Sequence, residues 1–152
     1  FVFGRGGEEA LALARAGIPF EVVPGVSTAV AAPALAGIPV THRGVAHEFT
    51  VVSGHVAPEH PKSLVDWAAL ARLRGTLVLL MGVQRIAAFA DVLIEHGRPA
   101  DTPVAVIQDG TLRGQRTLRS TLAKVADEMA REGFRPPAII VIGPVAGLVS
   151  GK

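Results

Sequence analysis

Small, hydroxyl-bearing and soft side chains follow several short apolar runs of this sequence, where they could contact a small molecule. Met81 and Gly82 stand at the end of one run, Gly110 follows a second, and Ser27 and Thr28 follow a third. Ligands of open α/β sheets bind beyond the carboxyl ends of strands, and glycine lets the backbone approach a ligand closely. Met81 alone would also fit a core position. The recurrence of these residues favours one shared crevice for a small molecule.

Other glycine and histidine patterns do not define a known catalytic motif. Gly4-Arg5-Gly6-Gly7 is followed by Glu9 where a dinucleotide-binding turn needs glycine, and a carboxylate there would repel a pyrophosphate. The groups His42–Glu48 and His55–His60 lack the helical i, i+4 spacing of a zinc hydrolase. We therefore predict a glycine turn that feeds a helix or borders another ligand, solvated histidines and no metal site. No nucleophile elbow or phosphate-binding loop is present in the sequence.

The composition restricts the class of protein. The 152 residues are 49% hydrophobic, which argues against disorder, and no apolar run reaches the roughly 18 residues of a membrane span. The chain has no cysteine, carries a formal net charge of +2 and contains only 5% aromatic residues. A nucleic-acid surface usually combines a dense basic stripe with stacking rings. We therefore expect a cytoplasmic protein that binds neither nucleic acid nor membrane, and whose arginines suit a polyanionic small molecule.

Short strands alternate with helices of about ten residues, which predicts an α/β sheet covered on both faces. Ser27 or Thr28 is expected to cap a helix that finishes near Gly37. Strands are predicted at residues 1–3, 20–23, 49–53, 76–81, 104–108, 116–118 and 138–142. The other helices are predicted at residues 8–16, 66–74, 86–96 and 121–131. The change in composition between Thr41 and His47 is the best candidate for a domain boundary.

Taken together in order, the motifs resemble one known family. The matching segments begin with residues 1–9 (FVFGRGGEE), 23–27 (VPGVS) and 37–43 (GIPVTHR), and continue through 50–55, 76–82, 103–111, 115–116 and 137–140. They span nearly the whole chain. The sequence is similar to the uroporphyrinogen-III C-methyltransferases, a family within the tetrapyrrole methylase superfamily, and the first segments resemble this family more than the superfamily at large.

The resemblance implies an enzyme of tetrapyrrole-methylase-like α/β fold. Residues 1–43 would be the end of an N-terminal α/β domain with its linker, and residues 44–152 a complete C-terminal α/β domain with a mixed sheet. The family transfers two methyl groups from S-adenosyl-L-methionine to uroporphyrinogen III, giving precorrin-2 for sirohaem and cobalamin, and S-adenosyl-L-homocysteine as the other product. A homodimer is also implied. Another precorrin methyltransferase, or a segment that binds or dimerises without catalysis, remains open.

The resemblance also implies site residues. Arg43 and then Arg5 would bind the carboxylates of the substrate, although either could be an ordinary surface ion-pairing residue. The turn Gly-Gly-Asp-Pro that precedes Val2 in the family, and the family's acid and base residues, are expected upstream of Phe1. The sequence is therefore expected to be an N-terminally truncated fragment, with no catalytic acid or base to assign. The implied cofactor-binding residues are Val2, Ser27, Thr28, Met81, Gly110 and Ala138.

Overall fold

The computed structural model describes residues 1–148, which form five α-helices and five β-strands. The helices are α1 (Gly6–Arg15), α2 (Thr28–Leu35), α3 (Trp67–Arg72), α4 (Ile86–Glu95) and α5 (Val125–Glu132). The strands are β1 (Phe49–Ser53), β2 (Thr76–Leu80), β3 (Pro103–Gln108), β4 (Arg116–Thr121) and β5 (Ala138–Ile142). Short 3-10 helices occupy Val83–Arg85 and Pro144–Gly147.

All five strands form one mixed sheet in the order β1-β2-β5-β3-β4. Strands β1 and β2 are parallel, whereas β5 is antiparallel to both β2 and β3, and β4 is antiparallel to β3. The carboxyl ends of β1, β2 and β3 therefore lie at the same edge of the sheet as the first residue of β5. The mixed sheet confirms the predicted fold class.

Alternating side chains of the central strands pack into two cores, one on each face of the sheet. Val104 and Val106 of β3 join the core formed with α3, α4 and α5, where the rings of Trp67 and Phe89 stack with centroids 4.9 Å apart. Ala105 and Ile107 face the opposite core, which includes residues of α2 and of the 3-10 helix at Pro144–Gly147. Burial on both faces explains why these strands are continuous apolar runs in the sequence.

Side-chain caps explain where two of the helices begin. Ser27 precedes α2, and its Oγ accepts a hydrogen bond from the backbone N–H of Ala29 at 3.2 Å. Asp66 precedes α3, and its Oδ1 accepts from the N–H of Ala69 at 2.8 Å. Each oxygen partners an N–H that the first helical turn leaves free. Of the two predicted cap residues, Ser27 and Thr28, the structure shows Ser27 as the cap of α2.

Two predicted strands and the start of one predicted helix were wrong. Residues 1–3 and 20–23 are not strands, and neither segment pairs with a strand among residues 1–148. An apolar run becomes a strand only where another strand accepts its backbone hydrogen bonds. The helix predicted from Thr121 begins at Val125, because Thr121 is still paired with Pro103 in the sheet. The domain boundary near residue 43 stays a prediction.

Candidate functional site

A cavity of about 640 Å³ opens at the sheet edge where β1, β2 and β3 end. Its walls come from the ends of β2 and β3, the start of β5, helix α2 and the 3-10 helix after β2. Most of the surface that it presents is apolar. The lining residues are Thr28, Ala32, His55, Leu80, Met81, Val83, Gln84, Arg85, Ile107, Asp109, Gly110, Leu112, Pro136, Pro137, Ala138 and Ile139.

Four of the residues expected at a cofactor site lie in this one cavity. They are Thr28 at the start of α2, Met81 just after β2, Gly110 just after β3 and Ala138 at the start of β5. Ser27 is the adjacent residue that caps α2, so its hydroxyl already has a backbone partner. The topology explains the convergence, because β5 runs opposite to β2 and β3 and therefore brings its first residue to their last.

The other predicted residues lie outside the lining of the cavity. Val2 is exposed ahead of α1. Arg5, which precedes α1, is exposed and forms an ion pair with the exposed Glu8. Arg43 is exposed in the loop after α2, where its backbone oxygen lies 2.8 Å from Nδ1 of His42. The structure does not bring these three residues to the cavity, and their roles stay predictions.

Unusual backbone conformations are concentrated at the cavity. Met81, directly after β2, has φ of 59°, and Asp109, directly after β3, has φ of 50°. Thr111 has φ of 76°, a rare value for a β-branched residue. Residues other than glycine adopt the left-handed region at a cost of roughly 1–2 kcal/mol. Such conformations are frequent at binding sites, where the surrounding structure holds them in place.

Glycine at position 110 allows a close contact between the turn after β3 and α2. A Cβ atom on Gly110 would lie 2.8 Å from Cβ of Ala32, closer than two such atoms approach in real structures. The absence of a side chain therefore lets α2 pack directly against the turn after β3. This contact places Thr28 and Ala32 of α2 on one wall of the cavity.

Three ionisable residues of the lining were not predicted as part of the site. They are His55, Arg85 and Asp109, of which His55 is a residue that the sequence predicted to be a solvated histidine. The position of His55 just beyond β1 was the available signal, because it matches the strand-end rule that selected Met81 and Gly110. The sequence held no comparable signal for Arg85, which lies in the 3-10 helix that follows β2.

Two other kinds of feature are absent from residues 1–148. Among residues 1–148, no group of three or more His, Cys, Asp or Glu side chains could hold a metal ion. Across the same residues, no helix is long and apolar enough to cross a membrane.

The sheet order defines an α/β protein, and the strand-end cavity has the volume usual for small-molecule sites. The sequence profile of the tetrapyrrole (corrin/porphyrin) methylases matches residues 1–126. The chain belongs to the tetrapyrrole methylase family, as its motifs predicted.

Relatives with assigned activities extend this similarity. The chain is 48% identical over 148 residues to an S-adenosyl-L-methionine-dependent uroporphyrinogen III methyltransferase of Methanosarcina barkeri, covering 97% of this chain and 58% of that protein. It is 53% identical over 148 residues to a sirohaem synthase of Neisseria meningitidis serogroup C, covering 97% of this chain and 30% of the relative. The chain thus spans less than two thirds of either relative.

A solved structure has the same fold. The uroporphyrin-III C-methyltransferase of Thermus thermophilus, crystallised with S-adenosylhomocysteine, superposes with a TM-score of 0.82 at 39% sequence identity. The match covers 98% of this chain and 64% of the Thermus chain. This agreement confirms the tetrapyrrole-methylase-like fold that the motifs implied.

Proposed function

We propose that this chain belongs to an S-adenosyl-L-methionine-dependent methyltransferase that methylates ring carbons of uroporphyrinogen III, with the strand-end cavity as its cofactor site. The convergence of Thr28, Met81, Gly110 and Ala138 on one cavity supports this proposal most directly. These are four of the six positions that the family resemblance assigns to the cofactor. Relatives whose names state this activity and cofactor add further support.

The lining of the cavity suits the proposed cofactor. A volume of about 640 Å³ lies within the roughly 300–1,000 Å³ usual for small-molecule sites. Leu80, Met81 and Ile107 offer apolar surface to an adenine ring. Arg85 and Asp109 supply charges of opposite sign, which suit the carboxylate and the cationic groups of S-adenosylmethionine. The residues present therefore fit this cofactor.

The role of these residues in methyl transfer is to hold and orient. When bound, S-adenosylmethionine supplies an electrophilic methyl group on a sulfonium, and transfer to carbon requires an in-line arrangement of donor and acceptor. The apolar walls exclude water, which strengthens the attraction between charged groups inside the cavity. The methylated ring then loses a proton to a base. We assign no general acid or base among residues 1–148.

The proposal extends to substrate and assembly. Uroporphyrinogen III carries eight carboxylates, which guanidinium groups bind well. Arg43 is our first candidate for such contacts, and Arg5 is the second because the exposed Glu8 already pairs with it. We propose further that the protein acts as a cytoplasmic homodimer, and that its product precorrin-2 enters sirohaem or cobalamin synthesis.

The experiment for this proposal combines binding and turnover. Calorimetric titration of the 152-residue chain with S-adenosylhomocysteine is expected to show saturable binding at one site per chain. Transfer of labelled methyl groups is then measured with uroporphyrinogen III and, separately, with precorrin-2 and later precorrins. Methylation of only the later precorrins would favour a different methyltransferase of the superfamily. Binding without transfer would favour a non-catalytic role for this chain, and no binding would contradict the proposed cofactor site.

A further inference from the structure

Gln108 is a buried polar residue beside the cavity. Both the nitrogen and the oxygen of its side-chain amide form hydrogen bonds. It is the last residue of β3, and only 4% of its surface is exposed. Its Nε2 donates to Oδ2 of Asp109 at 2.9 Å, and its Oε1 accepts from the backbone N–H of Arg135 at 2.9 Å. A carboxylate only accepts and a backbone N–H only donates, so these partners determine the orientation of the amide.

The Gln108 side chain joins two walls of the cavity. Asp109 belongs to one wall, and Arg135 directly precedes Pro136 and Pro137, which belong to the other. A second bond reinforces the connection, because the backbone N–H of Asp109 donates to the oxygen of Pro137 at 3.0 Å. The end of β3 and the segment that leads into β5 are thus joined by one side chain and by one backbone hydrogen bond.

The wall on the β3 side is a turn in an unfavourable conformation. Asp109 and Thr111 both have positive φ, and they flank Gly110, which packs against α2. Two further bonds close the turn: the N–H of Leu112 donates to the oxygen of Asp109 at 3.0 Å, and the N–H of Thr111 donates to Oε1 of Gln115 at 2.9 Å. A turn of this kind persists only where its surroundings hold it.

We propose that Gln108 is a positioning residue for the cofactor site. By donating to the Asp109 carboxylate and accepting from the Arg135 backbone, its amide holds the turn at residues 109–111 at a fixed position relative to the wall at Pro136 and Pro137. The consequence for S-adenosylmethionine rests on the proposed function, whereas the consequence for the two walls does not.

The substitution Gln108→Glu tests this role with little change in size. It keeps an acceptor for Arg135 but replaces the donor that faces Asp109 with a second carboxylate oxygen. Amide hydrogen exchange at Asp109 and Arg135 is expected to accelerate about tenfold or more, and affinity for S-adenosylhomocysteine is expected to fall by a similar factor. Adding Asp109→Asn should restore slow exchange at both amides, because the amide introduced at position 109 can then donate to the carboxylate introduced at position 108. Affinity is not a readout for this double variant, because Asp109 itself lines the cavity.

A further comparison separates positioning from a general structural effect. Gln115→Glu makes the same chemical change in the same turn, but Gln115 acts there only as an acceptor, so exchange and affinity are expected to stay within about twofold of wild type.

Each outcome bears on the proposal. Unchanged exchange at Asp109 and Arg135 in Gln108→Glu, or no restoration of slow exchange by Asp109→Asn, would overturn it. If Gln108→Glu alone does not fold, the double variant is expected to fold and to exchange like the wild type, and its failure to do so would overturn the proposal as well. If the wild-type chain does not bind S-adenosylhomocysteine, the proposed function fails, and the exchange rates alone decide the role of Gln108.

Discussion

At the scale of single residues, Met81 has a backbone conformation that its side chain does not favour and lies in the wall of the cavity. We predict that Met81→Arg lowers affinity for S-adenosylhomocysteine at least about 100-fold, roughly 2.7 kcal/mol, because the longer charged side chain fills the cavity. Met81→Leu is the matched control, since it conserves volume and the unbranched Cβ, and its affinity should stay within a few fold. Met81 is 47% exposed, so both variants should melt near the wild-type temperature. Calorimetry with unchanged affinity for Met81→Arg would remove Met81 from the site.

At the scale of elements, the Arg98 side chain forms hydrogen bonds both to the end of α3 and to the residue before β2. It is 5% exposed, and its Nη2 donates to the oxygens of Leu73 at 2.6 Å and Gly75 at 3.2 Å. Burial lowers the pKa of Arg98 from its usual value because it penalises the charge. Arg98→Met removes that cost but leaves two carbonyls unpaired, and we expect a net loss of about 2 kcal/mol. The melting temperature should fall by roughly 4–8 °C, while Arg72→Met, at an exposed arginine of α3, should change it little. An equal or higher melting temperature for Arg98→Met would mean that burying the charge costs more than its hydrogen bonds contribute.

At the scale of the whole molecule, apolar side chains remain exposed on the segment between α1 and α2. Val23 and Val26 are 82% and 83% exposed, and Phe20 and Val22 are also exposed nearby. Apolar side chains that remain at the surface favour association with another apolar surface. We predict that the 152-residue chain self-associates, which fits the proposed homodimer, and that Val23→Lys with Val26→Lys weakens this association in sedimentation equilibrium. Leu64→Lys changes an equally apolar residue that is 98% exposed in a separate loop, and should have no effect. Equal association of the double variant and the wild type would contradict this prediction.

How far the sequence determines the structure depends on whether the deciding interactions are local. The cap at Ser27 and the strand at residues 138–142 were predictable, because one depends on a side chain beside its helix and the other on an uninterrupted apolar run. The insertion of β5 between β2 and β3 was not predictable, since it depends on pairing between distant segments. The same limit explains why residues 20–23 were wrongly predicted as a strand.

Part of the candidate site was predictable from local sequence as well. Met81 and Gly110 were found because they stand at strand ends, which the apolar runs locate. The positive φ of Met81 could not be foreseen, because methionine has no preference for the left-handed region. The hydrogen bond between the Gln108 side chain and the Arg135 backbone could not be predicted either, since the two residues are 27 positions apart in the chain.

The claim that the strand-end cavity binds the cofactor is tested most directly by titrating the isotopically labelled 152-residue chain with S-adenosylhomocysteine and following backbone amide signals. We predict saturable shifts at Thr28, Met81, Gly110 and Ala138, which line the cavity. Gly97, in a separate hollow at the opposite edge of the sheet, should show no shift. No saturable shift in the cavity, or shifts confined to the surroundings of Gly97, would contradict the account.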